Sequence, residues 1–413
     1  MNSKTLCALF AAFTLLAGCA TGDGVVKVGP GQSGGKVAKV GPGAATAGGA
    51  SQTPPAVYAG TRLDVIVPVF DPGLPADSDQ YEKKGIWPEL RRAESNKFAL
   101  NMKHALEDTA TFGAVRVAPD ASASGDLYVL GKILKSNGED VRFSLQVVDI
   151  SGRQWMNKIY RHRVKERFHK DLRNKGKDAY QPIFTRAAED VAKLLRRKKD
   201  AQLAELRAVT EMRFAQSFAA DAFAGYLRQS GGITKLSGLP DENDPMLNRT
   251  RGIRVRDSLF IDNMQTHYEN FDRKMSESYA VWQAAALTEA KAARKAKKKS
   301  IVQGIAGAAA LIGGIAAAAS TDNPAAADVA AVTGTIAGGA LLGASFHNSA
   351  QAKVHREALA ELGESLDIQL APQVVEFEGR TEKLTGDAAE QFAQWRAFLQ
   401  RIYEQEATPE TQL

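Results

Sequence analysis

Cysteine is almost absent from this 413-residue sequence, since Cys7 and Cys19 are the only two and both lie in the first twenty positions. The rest of the chain can therefore form no disulfide. The six histidines show no metal-site spacing. No glycine-rich loop joins a predicted strand to a predicted helix, and no serine lies in a nucleophile elbow. These absences favour a protein without enzymatic activity, metal or cofactor.

The net charge is small. A value of +6 in a chain with 24% charged residues does not indicate nucleic acid, and we predict no nucleic-acid partner. The basic residues are clustered, however. The density of lysine and arginine from 161 to 177 predicts a solvated basic face, with contact to an anionic envelope surface as the alternative.

The amino terminus has the parts of an export signal. Lys4 is followed by an apolar run over residues 6–16, and Cys19 comes directly after Ala17 and Gly18. This arrangement resembles a bacterial lipobox. The resemblance implies a signal peptide over residues 1–18 and lipid on the Cys19 thiol, which is the only non-protein group we predict. Ala20, in place of aspartate, implies an outer-membrane location. We expect the chain to face the periplasm, and the sequence leaves the cell exterior open as the alternative.

A segment rich in glycine, serine and proline follows over residues 19–60. The sequence Lys-Val-Gly-Pro-Gly occurs at 27–31 and returns at 39–43. Such a composition cannot bury a core, and we predict a flexible tether. Within it the repeat is interpreted as a low-complexity spacer, with a recognition motif as the alternative.

Residues 61–165 predict a small α/β domain. A strand over 63–70, a helix over 89–109 and a strand over 114–117 precede a hairpin over 126–149 and a last strand from 154 to 164. In the second hairpin strand, apolar residues alternate with polar ones from Val141 to Val147. One face of that strand is therefore predicted to be buried and the other wet.

Four short motifs in this domain carry a resemblance to a known family. They are Pro68-Val69-Phe70-Asp71, Phe112-Gly113-Ala114-Val115, Asp126-Leu127-Tyr128-Val129-Leu130-Gly131 and Val148-Asp149-Ile150-Ser151-Gly152. With the element order, they resemble the periplasmic domain shared by the curli secretion lipoprotein, the penicillin-binding-protein activator lipoproteins and the amino-terminal part of TolB. The resemblance implies a domain that binds other proteins or forms rings and contains no catalytic site.

The remaining sequence predicts long helices over residues 166–300. One or two helices are predicted over 182–229, followed by a polar loop over 231–256. Apolar residues from Met264 to Ala286 then recur at a mean spacing of about 3.67, which favours one buried helix face with little or right-handed supercoiling. If this helix continues from Asp257 to residue 319, it spans roughly 95 Å.

The longest stretch without charge is residues 301–346. It predicts two helices folded back around Thr321-Asp322-Asn323-Pro324. Small residues recur at spacing four in both arms, which is typical of closely associating helices. They are Ala306, Ala310, Gly314 and Ala318 in the first arm, and Gly334, Gly338, Gly339 and Gly343 in the second. This glycine zipper is compatible with membrane insertion and with protein packing, and the sequence leaves both open.

Basic residues flank the zipper. Lys295, Lys297, Lys298 and Lys299 precede it, and we predict that they contact an anionic surface such as lipid phosphates. Residues 347–406 predict a return helix antiparallel to the long helix, a short extended segment and a terminal amphipathic helix. The apolar face of that last helix comprises Phe392, Trp395, Phe398, Leu399 and Ile402.

The sequence thus predicts an α+β fold, with a small mixed-sheet domain before a long-helix, coiled-coil-like part that contains the glycine-zipper hairpin. The predicted function is a non-enzymatic, lipid-anchored scaffold of the cell envelope that binds membrane lipid, an envelope protein and other copies of itself. One alternative is an oligomeric outer-membrane channel or secretion component. A second is an envelope enzyme whose carboxylates assemble only in the fold.

Overall fold

The computed structural model of the chain describes residues 27–31, 58–318 and 350–407. For residues 82–83, 293, 296–318, 350–353 and 406–407 it describes the backbone alone. Within these ranges the fold is α+β, as the sequence predicts. A five-stranded mixed sheet with helices is followed by one helix of 74 residues and by a set of shorter helices and hairpins.

The sheet has the strand order β2-β1-β3-β4-β5. Its members are β1 (Val65–Pro68), β2 (Val115–Ala118), β3 (Leu127–Ser136), β4 (Asp140–Asp149) and β5 (Gln154–Arg163). Strand β1 pairs in parallel with β2 and β3, whereas β3, β4 and β5 form an antiparallel meander. Parallel neighbours need a crossover connection, which α1 (Asp79–Lys84) and α2 (Pro88–Asp108) supply between β1 and β2. The predicted strand and helix order of this region is confirmed.

The alternating hairpin strand is less amphipathic in the fold than its sequence predicts. Val141, Phe143 and Val147 are buried as expected, but Ser144 and Gln146 are also only 3% and 2% exposed. The predicted wet face is therefore wrong at these two positions. Gln146 satisfies its amide there by donating to the side-chain oxygen of Gln154 on β5.

Aromatic rings fill the space between the sheet and two helices. Phe98 on α2 makes edge-to-face contacts with Phe70 and with Phe184, at centroid distances of 6.3 and 5.2 Å. Phe184 belongs to α3 (Gln181–Arg196) and stacks on Phe143 of β4 at 5.3 Å. These contacts join β4, α2 and α3 in one core, because large rings bury much apolar area per residue.

The region predicted to contain one or two helices up to residue 229 contains two long helices, but its last residues lie in a strand, where the helix prediction is wrong. After α3 come α4 (Asp200–Phe218), the short α5 (Ala220–Phe223) and a hairpin of β6 (Leu227–Ser230) and β7 (Ile233–Leu236). The predicted polar loop over 231–256 is wrong, since it contains β7 and the start of the next helix. That start has a local cause, because the Asp244 carboxylate accepts a hydrogen bond from Leu247 N at 2.9 Å and Pro245 occupies the first helical position.

The long helix α6 runs without interruption over Pro245–Ala318, which corresponds to about 111 Å. Its apolar stripe is buried as predicted, in packing against the rest of the same chain. The buried members of the stripe are Met264, Tyr268, Phe271, Met275, Tyr279 and Trp282. The partner of this face is therefore the α/β domain and the C-terminal helices.

The C-terminal elements are α7 (Ala350–Leu362), β8 (Gln373–Phe377), β9 (Arg380–Leu384) and α8 (Ala388–Ala407). Helix α7 runs antiparallel to α6, since His355 contacts Ser278 whereas the later Asp367 is an electrostatic neighbour of Tyr268. All five residues predicted for the inner face of α8 are buried. One of them, Trp395, stacks on Phe260 of α6 with centroids 5.1 Å apart.

Candidate functional site

The site residues predicted from the sequence fall mostly outside the described side chains. Cys19 and the second-arm glycines Gly334, Gly338, Gly339 and Gly343 lie outside the described residues. Ala306, Ala310, Gly314 and Ala318 lie on the helical backbone of α6, as do Lys297, Lys298 and Lys299. Lys295 is described and exposed. The zipper and the anionic-surface contact therefore remain predictions.

Just before this cluster, α6 is attached to the α/β domain by ion pairs. Arg294 contacts Glu139, at the β3–β4 turn, at 2.6 Å, and Lys291 contacts Glu166 at 2.7 Å. The hydrogen bond and charge of Lys291 lower the pKa of the Glu166 carboxyl. Two basic residues of the segment before the zipper therefore hold the helix in place.

A buried group of polar residues lies between α2 and α6, and we call it the polar clamp. It comprises Glu94 and Lys97 of α2, Asp178 of the loop before α3, and Asp272 and Tyr279 of α6. Lys97 has 6% of its side chain exposed, and its ammonium lies 2.6 Å from an Asp272 oxygen and 3.8 Å from an Asp178 oxygen. One cation thus joins two elements that are far apart in sequence.

Asp178 is the branching point of the clamp. One of its carboxylate oxygens accepts a hydrogen bond from Asn101 on α2 at 3.0 Å, and the other accepts from Gln283 on α6 at 3.1 Å. The second oxygen also accepts from the backbone N–H of Tyr180 at 2.8 Å. The loop before α3 is consequently fixed to both helices at once.

Glu94 is fully buried at the other end of the clamp. One of its oxygens accepts hydrogen bonds from the Tyr279 hydroxyl, at 2.8 Å, and from the Ser136 hydroxyl. Its second oxygen lies 3.5 Å from Arg91 Nε. Burial raises the pKa of the Glu94 carboxyl because desolvation disfavours the charged form, and Arg91 offsets only part of this effect. Such a group rigidifies a contact when its partners are in place.

A second attachment lies at the edge of the sheet. Gln265 of α6 accepts from Val117 N at 2.9 Å and donates to Val117 O at 2.8 Å, so one side-chain amide pairs with both backbone groups of an edge-strand residue. Arg116 beside it forms a two-pronged ion pair with Asp262, at 2.6 and 3.0 Å. Helix α6 therefore covers the free edge of β2, which would otherwise be open to pairing with another chain.

A cleft opens next to the clamp, between α6 and the basic loop that precedes α3. Its volume is 650 Å³, and its wall includes His169, Leu172, Lys175 and Lys177. Burial lowers the pKa of the His169 imidazole. Leu172 is 88% exposed at the rim. The exposed side chains of its wall thus include the two lysines, this leucine and the carboxylate of Glu277.

No family model, no curated protein and no solved structure matches this chain. Within the described ranges, no group of three or more histidine, cysteine, aspartate or glutamate residues is arranged to hold a metal ion. Among the described residues, no helix contains a stretch long and apolar enough to cross a membrane.

The sequence did not identify the clamp. Glu94, Lys97 and Asn101 follow each other at spacings of three and four, so they share one face of α2. That shared face was the available signal, but a charged helix face is usually solvated. Gln265 gave no signal at all, because its partner is a backbone group nearly 150 positions earlier in the chain.

Proposed function

We propose that this protein is a non-enzymatic, lipid-anchored scaffold of the cell envelope. Its α/β domain and C-terminal elements hold α6 in a fixed position, so that the helix carries the small-residue segment 301–346 to a membrane surface or a protein partner. Cys19 supplies the attachment to lipid at the other end of the chain.

The observation that carries the proposal is the series of attachments along α6. Asp257 near its start pairs with Arg396 of α8 at 3.0 Å, Asp272 pairs with Lys97, and Arg294 pairs with Glu139. These three pairs span 37 helical positions, about 56 Å. Beyond Arg294 the helix continues for 24 residues to Ala318, a further length of about 36 Å.

Ion pairs with buried members can fix the orientation of α6 relative to the rest of the chain. A buried carboxylate or ammonium is strongly destabilised when its partner moves away. Burial raises the pKa of the Asp257 carboxyl, and Arg396 opposes that effect, so displacement of α8 would remove the main cation beside this buried acid. The ion pairs along α6 therefore resist rotation of the helix about its own axis.

The amino-terminal sequence supports a location in the cell envelope. The lipobox-like Leu16-Ala17-Gly18-Cys19 supports export and acylation, and three acyl chains anchor a protein firmly. The short motifs that resemble the curli secretion lipoprotein and its relatives support a protein-binding role for the α/β domain.

The test measures incorporation of a labelled fatty acid into the full chain and into a matched pair of cysteine variants. Cys19→Ala should lose incorporation of a labelled fatty acid, whereas Cys7→Ala, within the signal peptide, should behave like the parent chain. Retained fatty acid in Cys19→Ala would overturn the lipid anchor.

A deletion of residues 301–346 tests the other end. The scaffold proposal expects the deletion variant to keep its fatty acid and to fold with the same α/β domain. It also expects one of two losses. Either the deletion combined with Cys19→Ala is no longer retained in the membrane, or the deletion variant no longer co-purifies with its protein partner. If the parent chain instead forms one uniform large complex that makes vesicles leak, and the deletion abolishes both properties, the channel alternative replaces the scaffold.

A further inference from the structure

The first copy of the Lys-Val-Gly-Pro-Gly repeat is packed into the folded body. Val28 is 1% exposed, and Gly29 and Pro30 are also buried. The Gly29 N–H donates to Ala121 O at 2.7 Å. The flexible tether predicted over residues 19–60 is therefore wrong at residues 27–31. A glycine-rich segment can be ordered where its backbone fits the surface of a folded domain.

The groove that receives the repeat is built by three elements. They are the loop before β3 with Ala121, residue Ile150 after β4, and Arg213 and Ser217 on α4. Tyr128 supports the loop from below, since its buried hydroxyl accepts from Gly125 N at 3.0 Å and donates to Ala123 O at 2.8 Å. The Arg213 guanidinium donates to Ile150 O and thereby joins α4 to the end of β4.

The groove selects the sequence of the repeat. Gly29 has φ +90°, and a Cβ there would lie 2.6 Å from Ile150 Cδ1 and 3.2 Å from the Tyr128 hydroxyl oxygen. Gly31 has φ +76°, which suits a glycine after a proline in a tight turn. A side chain at position 29 would collide, and one at either glycine would be strained. Val28 adds the buried apolar anchor.

The same requirements are met a second time, twelve positions later. Val40, Gly41, Pro42 and Gly43 repeat all four groove-contacting residues, and Lys39 repeats the residue before them. We propose that this groove is a recognition site for Val-Gly-Pro-Gly and that the two repeats of one chain exchange in it, one at a time. The proposal holds whether or not Cys19 carries lipid.

The chain is long enough for the second repeat to dock in its own body. Thr61 N is bonded to the Asp200 carboxylate at the start of α4, whereas Ser217 lies near the end of that helix, about 26 Å away. With residues 40–43 in the groove, the 14 residues from 44 to 57 must cover this distance. Fully extended they reach about 46 Å, so docking in the same chain is allowed without a partner.

Disulfide trapping tests the exchange. If Gly31 carried a Cβ, it would lie 3.8 Å from Ser217 Cβ, which is the usual separation in a disulfide. The full chain with both native cysteines changed to alanine receives Ser217→Cys, together with Gly31→Cys, Gly43→Cys or, as the control, Gly35→Cys between the repeats. Positions 31 and 43 are equivalent in the two repeats, so any strain is matched.

We expect Gly31→Cys and Gly43→Cys each to form an intramolecular disulfide at least about tenfold faster than Gly35→Cys, because docking holds the pair at bonding distance. Adding Val28→Asp should slow the reaction at position 31 and accelerate it at position 43. A position-43 rate equal to that of the control, even with Val28→Asp, would overturn the exchange. So would a product that is a covalent dimer, since the repeat would then dock in another copy.

A cysteine-free measurement checks the same point. Amide hydrogen exchange of the full chain should show a slow Gly29 N–H, because it is bonded to Ala121 O. In Val28→Asp the slow amide should move to Gly41, whereas in Val40→Asp it should stay at Gly29. A Gly41 amide that exchanges freely in both variants contradicts the proposal.

Discussion

The attachment of Gln265 to the edge strand gives a prediction that depends on two hydrogen bonds. Gln265→Leu keeps a side chain of similar size and high helix propensity, but it removes the hydrogen-bond acceptor of Val117 N–H and the hydrogen-bond donor to Val117 O. Val117 is 0% exposed, so its N–H and C=O cannot simply turn to bulk water. Gln265→Glu is the informative second variant, since a carboxylate still accepts from the N–H but faces the carbonyl oxygen with negative charge.

The magnitude follows from the cost of unsatisfied groups. Each buried backbone group that loses its partner costs about 1–3 kcal/mol. Gln265 itself is only half-buried, so some water can enter, and we expect the lower part of the range for each group. The free energy of unfolding should fall by about 3 kcal/mol in Gln265→Leu and by about 2 kcal/mol in Gln265→Glu. Asn263→Leu, at an exposed position of the same helix, is the control and should change it little.

The assay is urea unfolding combined with amide hydrogen exchange at Val117. Exchange at this one amide should accelerate in Gln265→Leu well before the global transition, because the loss is local. The leucine variant should also associate in a concentration-dependent manner, since an uncovered edge strand can pair with another chain. If the Val117 amide exchanges equally slowly in parent and variant, the proposed attachment of α6 to β2 is refuted.

Three further predictions concern charge and packing. Burial and neighbouring carboxylates raise the pKa of Asp367 to about 7, so its contribution to stability is full below about pH 4 and is lost as pH rises through 7. Asp367→Asn should make the fall of stability with pH shallower, and Glu94 and Asp257, whose pKa values are also raised, account for part of the slope that remains. Lys97→Met should lower the free energy of unfolding by about 2 kcal/mol. Adding Asp272→Asn should recover part of the loss, because only the Asp178 carboxylate then lacks its cation. Gly131→Ala should cost about 2 kcal/mol, since its Cβ would overlap the Phe70 ring.

Urea unfolding measures all three, at a series of pH values for the first. A pH slope in Asp367→Asn parallel to that of the parent chain would show that another group causes it. Strict additivity of Lys97→Met and Asp272→Asn would show that the two side chains do not interact. An unchanged midpoint for Gly131→Ala would mean that the core around Phe70 has room which the structure does not show.

Much of the α/β domain could be predicted because its signals are local. The run from Val65 to Val67 is β-branched, and the turn around Gly138 separates two strands of suitable length. The failures have physical causes as well. Ser144 and Gln146 looked solvated, but burial of a strand face depends on what packs over it, and no local pattern reports that.

The long helix α6 likewise has features that its sequence predicts and features that it does not. Its stripe from Met264 to Trp282 was predictable from spacing, whereas its start at Pro245 was missed because polar composition outweighed the Asp-Pro capping signal. The clamp and the Gln265 attachment join residues far apart in sequence, so they depend on the assembled fold. Docking of the first repeat was hidden by its composition, since Val28 is the only large apolar residue in that motif.

If Cys19 carries lipid as proposed, the docked repeat also sets how far the folded body can stand from it. With Val28 in the groove, nine residue steps separate it from Cys19, a maximum of about 30 Å. With Val40 in the groove there are twenty-one steps, about 70 Å. Exchange of the repeats would then change the maximum stand-off from the membrane by about 40 Å without any change in the folded body. The distal end of α6 would reach different depths of the envelope in the two states.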